Sequence, residues 1–196
     1  MEIKCKCYKN KGGNFFKKEI YKKYYFKLFN KILEIKDSYV YLGLLFKYNG
    51  NFAQARKKLI DQDQKALYAL YKKIQNISIP VDLQLKLFDV LVVPILTYSS
   101  EIWGFENKAT IEKLHLQFCK RILGVRSSTP NFMVYGELGR FPLEVHITLK
   151  MVCFWHRIAS NENKLSGKLY KLLLHLSEHD NFNFKWVSYI KSILDD

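Results

Sequence analysis

The sequence predicts a mainly α-helical protein in which a small N-terminal β element precedes a bundle of about five to seven helices. Two observations carry this prediction. Apolar residues recur at three- and four-residue spacing after Phe52, which is typical of amphipathic helices. Before Gly50, short aromatic and β-branched runs end at turn-forming residues, as strands do. With only four Pro and nine Gly in 196 residues, the chain is also unlike disordered or fibrous proteins.

The first part of the chain divides into an arm and a β-hairpin. Residues 1–23 are rich in lysine, and we expect a basic, loosely ordered arm. Tyr24–Phe29 is aromatic and extended in character. Ile32–Asp37 alternates in polarity, which predicts a return strand after a tight turn at Asn30 and Lys31. Residues 24–50 would therefore form the β element.

A further strand is predicted at Val40–Phe46, which is apolar and β-branched. Turn chemistry at Asn49 and Gly50 closes it. We expect this strand to be buried, and we expect the small sheet to need helices against which to pack.

The helical region, expected over residues 51–160, begins with a long basic helix after Phe52 and breaks at Ile79 and Pro80. Val81–Trp103 predicts a second helix, kinked at Pro94 but continuous. The core is expected to include Trp103, Phe105, Phe118, Phe141 and Trp155.

The remaining helices follow from caps and periodicity. Thr110–Leu123 is expected to start with Thr110 as N-cap and to stop at Gly124. A short helix should run from Pro130 to Leu138, and a long one over Pro142–Ala159. A C-terminal extension, residues 161–196, should add weaker helices, which are predicted at Leu165–Leu176 and Lys185–Leu194.

Charge indicates the class of partner. The formal net charge is +14, and residues 1–50 alone hold twelve lysines against four acidic residues. Such an excess suits a polyanion, namely nucleic acid or an anionic membrane surface, although a merely solvated surface explains it as well. Leu83–Tyr98 is too short to span a membrane, and no signal peptide is recognisable. We expect an intracellular protein, cytoplasmic or nuclear and not secreted, with reduced cysteines.

Two sets of side chains could hold metal ions, and for both a plainer interpretation is stronger. Asp61 and Asp63 lie two apart on a helix and diverge, so these two carboxylates are better explained as solvated surface, as is the pair at the chain end. For zinc, His115 with Cys119 and Cys153 with His156 have helical spacing, and two adjacent helices could supply four ligands. Small buried side chains explain the two cysteines better. We predict no resident metal.

The long first helix carries a set of basic residues about two turns apart. Side chains at that spacing project along one side of the helix and could follow a phosphate backbone. Solvated lysines on an amphipathic helix are the alternative interpretation. The candidate contacts are Arg56, Lys57, Lys58, Lys65, Lys72 and Lys73, with Tyr68 and Tyr71 able to pack on sugars or bases or to belong to the core.

Residues 24–160 carry an ordered set of short motifs. These are the Phe29–Phe46 stretch ending in Tyr41-Leu42-Gly43, then Asn49-Gly50-Asn51-Phe52, Val93-Pro94-Ile95-Leu96-Thr97-Tyr98 with Glu101-Ile102-Trp103-Gly104, Phe118-Cys119-Lys120-Arg121-Ile122-Leu123-Gly124-Val125, and Gly136-Glu137-Leu138-Gly139-Arg140-Phe141-Pro142-Leu143. In this order they resemble the palm end, the thumb and the following helices of non-LTR (LINE-type) retrotransposon reverse transcriptases.

The resemblance implies a thumb-like bundle that grips an RNA–DNA or DNA duplex through its phosphates. The first thumb helix would carry the six basic residues named above. The family's activity is RNA-directed DNA synthesis, but none of its catalytic carboxylates can be matched here. We therefore expect a truncated, non-enzymatic chain without a cofactor, whose missing palm and fingers would be its protein partner. Magnesium is expected only in the parent polymerase.

Two other functions stay open. One is a non-catalytic helical module that binds nucleic acid. The other is an inert or protein-binding remnant of a decayed element.

Overall fold

The computed structural model describes residues 27–28, 31–32, 36–75, 77–106, 108–179 and 184–195. The predicted basic arm, 1–23, lies outside the described residues, as does most of the first predicted strand. The contacts divide the chain into two units, Met1–Asp37 and Ser38–Asp196, and each is described by itself.

The first unit contains the hairpin that the sequence predicts. Strand β1 (Lys27–Leu28) pairs antiparallel with β2 (Lys31–Ile32), with Leu28 opposite Lys31. Lys31 is therefore a strand residue, and its predicted place in the turn is wrong by one position. A two-residue connection between the last paired positions is the commonest hairpin form.

The second unit opens with another hairpin, in place of the single strand predicted at Val40–Phe46. Strand β3 (Ser38–Tyr41) pairs antiparallel with β4 (Leu44–Lys47), so that Tyr41 opposes Leu44. Leu42 and Gly43 both have positive φ, 47° and 83°. That combination is what a two-residue hairpin turn needs, and glycine adopts it without a steric penalty. The expected burial is also wrong for β3, since all four of its residues are exposed.

The predicted fold class is confirmed, because a helical body follows the β element. Within the described residues, seven helices have eight or more residues and two have four. They are α1 (Ala53–Ile74), α2 (Val81–Leu91), α3 (Val93–Leu96), α4 (Ser100–Trp103), α5 (Ala109–Leu123), α6 (Asn131–Leu138), α7 (Leu143–Ala159), α8 (Leu165–His179) and α9 (Lys185–Leu194).

Helix α1 supplies one wall of the core. One face buries Ala55, Leu59, Leu67 and Leu70, and β4 adds Leu44 to the same cluster. Helices α2 and α3 pack on α1, as β4 does. The hairpin β3–β4 and the first long helix are therefore adjacent parts of one body.

The predicted continuous helix Val81–Trp103 is wrong, because the chain breaks twice within it. Pro94 has no N–H to donate, so the helical hydrogen bond to residue 90 is lost, and α2 ends at Leu91. A second break follows where Ser99 adopts a left-handed conformation with φ 53°. Between the breaks, Ile95 N donates to Val92 O at 3.0 Å, a tighter, three-residue turn.

The helix ends are predicted better than the helix starts. Helices α5 and α6 stop at Gly124 and Gly139, as the sequence indicates. The predicted N-cap Thr110 lies inside the first turn of α5, because the cap position is Lys108. The Lys108 ammonium group lies 3.2 Å from Glu144 of α7 and 2.6 Å from the Tyr189 hydroxyl of α9, so this residue links three helices.

Helix α7 organises the C-terminal half of the body. Gly104, just after α4, permits a close approach, since a Cβ at this position would lie 2.6 Å from Ile147 Cγ2 of α7. Helices α8 and α9 pack on α7, and Trp186 of α9 donates its indole N–H to Glu101 O at 2.8 Å. Trp103 and Phe118 lie in the core as predicted. Phe141 does not, because it lies in the short connection before α7 with 78% of its surface exposed.

Candidate nucleic-acid interface

Helix α1 presents a lysine ridge, which we define as Lys57, Lys58, Lys65, Lys72 and Lys73. All five are exposed. Lys58, Lys65 and Lys72 follow one another at seven-residue intervals, so they lie on one side of the helix about 10 Å apart along its axis. Within the described part of the chain, no carboxylate forms an ion pair with any of them. The ridge is therefore a row of solvated positive charges.

The sixth predicted contact, Arg56, lies off the ridge. Its guanidinium group forms an ion pair with Glu106 at 2.7 Å, and 17% of the side chain is exposed. Glu106 also accepts a hydrogen bond from the backbone N–H of Phe52 at 3.0 Å. Arg56 thus ties the beginning of α1 to the chain after α4, and its guanidinium is already occupied. Since residues 56 and 58 are about 200° apart around the helix, they cannot share one face.

The two tyrosines considered for nucleic-acid packing lie in different environments. Tyr68 is 68% exposed and belongs to the solvent side of α1. Tyr71 is buried and stacks with Phe118 of α5, with centroids 6.3 Å apart. Burial raises the pKa of Tyr71 to about 12, while the nearby Arg121 acts to lower it. Tyr71 is a core residue whose edge reaches the surface.

The carboxylates of α1 also differ in environment. Asp61 is exposed as predicted, but Asp63 is fully buried, so its assignment to the solvated surface is wrong. Asp63 occupies the core-facing stripe, four residues from both Leu59 and Leu67. No described residue forms a hydrogen bond with either of its carboxylate oxygens, and burial raises its pKa to about 7. The two side chains diverge, as their spacing predicts.

The zinc candidates fall into two unlike pairs. His115 and Cys119 are buried, whereas Cys153 and His156 are exposed. The expected burial is therefore confirmed for Cys119 and wrong for Cys153. Burial raises the pKa of Cys119 to about 11, which opposes the thiolate form that zinc binds. Among the described residues, no group of three or more His, Cys, Asp or Glu side chains is arranged to hold a metal ion.

His115 instead belongs to a polar network that sequence reasoning missed. Its Nδ1 lies 3.1 Å from Glu112 Oε1, and Arg140 donates from Nε to His115 Nε2 at 3.2 Å. Arg140 also makes two hydrogen bonds to Asp89 of α2, and Tyr135 of α6 donates to Glu112. Because Nε2 must accept, the ring is neutral with its proton on Nδ1 in this arrangement.

This network joins four elements of the bundle: α2, α5, α6 and the start of α7. Burial alone would raise the pKa of Glu112, but hydrogen bonds from His115 and Tyr135 outweigh it and hold that pKa below its ordinary value. The His115 ring stacks on Phe88, with centroids 5.6 Å apart. These contacts have a structural purpose, because they lock the connection between α6 and α7 onto α2. The motif Gly139-Arg140 contained the signal, but its partner Asp89 lies 51 residues away in the sequence.

A cavity of about 580 Å³ lies between the start of α1 and the helices α7, α8 and α9. Its walls are aromatic and come from the start of α1 and from α7, α8 and α9, with Phe52, Phe154 and Trp186 among them. The Trp186 indole N–H already donates to Glu101 O. The cavity therefore offers apolar surface and little that would orient a polar ligand.

Comparison with known proteins adds one similarity. The chain is 30% identical over 99 residues to an uncharacterized transposon-derived protein of Caenorhabditis elegans, an alignment that covers 47% of this chain and 34% of that protein. The chain thus spans about a third of the length of the curated relative that it matches. No protein-family profile and no solved structure matches. The similarity supports a transposon-derived origin.

None of the helices in the described ranges combines the length and the apolar content needed to cross a membrane.

Proposed function

We propose that this chain is the duplex-gripping, thumb-like part of a LINE-type retrotransposon reverse transcriptase. The observation that carries the proposal is the lysine ridge on α1, whose positive charges are exposed and have no carboxylate partner among the described residues. Three further facts support it: the order of the motifs, the formal net charge of +14, and the similarity to a transposon-derived protein.

In this function the ridge binds phosphates and reads no sequence. Lys58, Lys65 and Lys72 are spaced so that each can reach a different phosphate of one strand, with Lys57 and Lys73 to either side. Every phosphate that a lysine neutralises releases counterions, so affinity falls steeply as salt rises. Base identity has little effect on such contacts. The partner would be an RNA–DNA or DNA duplex, and the carboxylates and magnesium of synthesis would belong to the parent polymerase.

The test is a binding titration with a short fluorescein-labelled RNA–DNA duplex at a series of KCl concentrations. The variant is the triple replacement Lys58→Ala, Lys65→Ala and Lys72→Ala. Loss of three phosphate contacts should make the slope of log affinity against log salt shallower by about 2 to 3. Affinity should fall equally for duplexes of unrelated sequence.

The matched control removes the same charge from other helices. Lys86, Lys164 and Lys168 are exposed and lie outside α1, and their triple replacement with alanine should leave the slope nearly unchanged. Equal losses in both triple variants would mean that net charge and not the ridge is responsible. Binding that is weak for the wild type and insensitive to salt would refute the proposal.

The second candidate function is that of a protein-docking remnant, and β3 favours it. Tyr39, Val40 and Tyr41 expose 65%, 51% and 57% of their surfaces, and among the described strands β3 pairs with β4 alone. An unpaired edge strand with apolar side chains is a template for another strand. The occupant would be a strand of the polymerase palm. In this case purified protein should self-associate, and Tyr39→Lys should make it monomeric in analytical ultracentrifugation.

A further inference from the structure

The end of α5 carries an arginine whose guanidinium group lies over the face of an aromatic ring. Arg121 is exposed, and its Cζ lies 3.9 Å from the centroid of the Tyr71 ring. Tyr71 in turn stacks on Phe118, and Phe118 on Phe88 with centroids 4.1 Å apart. The guanidinium group is thus the outer layer of a stack of buried rings. Contact with the ring restricts the side chain and reduces the conformational freedom that it would lose on binding.

Two of the other four arginines donate their N–H groups to carboxylates, and Arg121 does not do so within the described residues. Arg56 is paired with Glu106, and Arg140 with Asp89. For Arg121, the described residues supply a ring below the guanidinium but no carboxylate or carbonyl as hydrogen-bond acceptor. The side chain is therefore oriented, charged and has its donors directed to solvent. A planar fork of that kind matches two oxygens of a phosphate group.

The position of Arg121 links it to the lysine ridge. Its aromatic support, Tyr71, directly precedes Lys72 and Lys73 on α1. The guanidinium therefore lies level with the last turn of α1, about 100° around the helix axis from the ridge residue Lys72. The positive surface thus continues from one helix onto a second.

We propose that Arg121 is a phosphate-binding residue of the duplex interface, which it enters as a bidentate anchor where α5 meets the end of the lysine ridge. The inference rests on the proposed function and adds a second helix to the binding surface. Two helices that contact the duplex fix its direction across the body, whereas a single ridge leaves it free to rotate about its line of contacts.

The test compares three variants in the same duplex titration. Arg121→Gln removes the charge and the fork, and should weaken binding about tenfold and make the salt slope shallower by about 0.9. Arg121→Lys keeps the charge but loses the fork and its stacking, so the slope should be retained while affinity falls. Arg126→Gln is the matched control, since it removes the same charge without a stacked ring, and it should bind nearly as the wild type does.

The outcomes separate this inference from the proposed function. If the Lys58, Lys65 and Lys72 triple variant loses affinity but Arg121→Gln binds like the wild type, Arg121 is outside the interface and the ridge alone binds. If Arg126→Gln is as damaging as Arg121→Gln, general charge and not a built site is responsible. If neither the ridge nor Arg121 variants change binding, the proposed function itself fails. Thermal unfolding of each variant identifies losses of affinity that come from misfolding. If Arg121→Gln is misfolded, the affinity of Arg121→Lys decides whether Arg121 belongs to the interface.

Discussion

Replacing Asp63 with asparagine should raise the stability relative to that of the wild type as pH increases above the pH at which a free aspartate ionises. Asp63 is fully buried, and within the part of the chain that the structure describes neither of its oxygens has a hydrogen-bond partner. Burial raises its pKa from 3.8 to about 7. Since each tenfold change in a protonation equilibrium corresponds to about 1.4 kcal/mol, ionisation of Asp63 opposes folding by about 4 kcal/mol at most above neutral pH.

The direction of the pH dependence follows from the two pKa values. Below about pH 4, Asp63 is protonated in both states and ionisation has no effect on stability. As pH rises, the unfolded chain releases this proton first. Ionisation then lowers the free energy of the unfolded state, and folding becomes less favourable. The loss is complete once pH exceeds the folded-state pKa of about 7. The stability contributed by the protonated carboxyl is thus present at acid pH and lost by neutral pH.

The assay is urea unfolding followed by circular dichroism, from about pH 4 to about pH 8. The measured quantity is the unfolding free energy of Asp63→Asn minus that of the wild type. Asparagine has its own cost as an unpaired buried amide, but that cost does not vary with pH. The difference should therefore rise by up to about 4 kcal/mol across the range. Contributions from Glu112 and other titrating groups occur in both proteins and cancel.

The matched control is Asp61→Asn, which removes an exposed carboxylate two residues earlier on the same helix. Its difference from the wild type should stay nearly flat with pH. A flat difference for Asp63→Asn as well would refute the reasoning, because it would mean that the carboxylate is solvated or paired in solution.

Four further substitutions test the packing. Gly104→Ala should destabilise the protein by about 1 to 3 kcal/mol in urea unfolding, because the new methyl group would overlap Ile147 on α7, and an unchanged midpoint would contradict the close approach of α4. Gly43→Ala should lower the unfolding free energy by about 1 to 2 kcal/mol, since alanine is strained at φ 83°. Hydrogen exchange should show faster opening of β3 and β4, and unaltered protection of their amides would argue against the turn. Arg140→Met should destabilise by about 1 to 3 kcal/mol because it leaves the buried ring of His115 without its donor, whereas loss of the exposed partner through Asp89→Asn should cost less than about 1 kcal/mol. Equal effects of these last two would show that the surface ion pair matters more than the buried hydrogen bond.

The sequence predicted those parts of the fold that depend on local periodicity. The buried stripe of α1 and the stops of α5 and α6 at glycine were readable because each follows from residues within a few turns. The two breaks around Pro94 were not, since a proline inside a helix is compatible with either a kink or an end. The left-handed conformation of Ser99, which completes the second break, has no sequence signal of its own.

The hairpin at Leu42 and Gly43 shows a different limit. An apolar run that contains one glycine can be a single buried strand or two strands around a tight turn, and composition favours neither. The prediction that Asp63 is exposed was wrong for another reason. It was made from the charge of the side chain, although Asp63 lies on the buried stripe of α1 between Leu59 and Leu67. Contacts such as Arg140 with Asp89, or Arg121 with Tyr71, join residues about 50 positions apart and follow only from tertiary structure.

The two candidate functions rest on surfaces of different chemistry, and salt distinguishes them without any mutation. The lysine ridge binds through charge, so its affinity for a duplex should fall as salt screens and displaces the contacts. Docking through Tyr39, Val40 and Tyr41 buries apolar surface, and salts such as sulfate strengthen that kind of association. A protein that dissociates from duplex but self-associates as sulfate rises would carry both surfaces. In that case the ridge would bind nucleic acid while β3 would dock another strand.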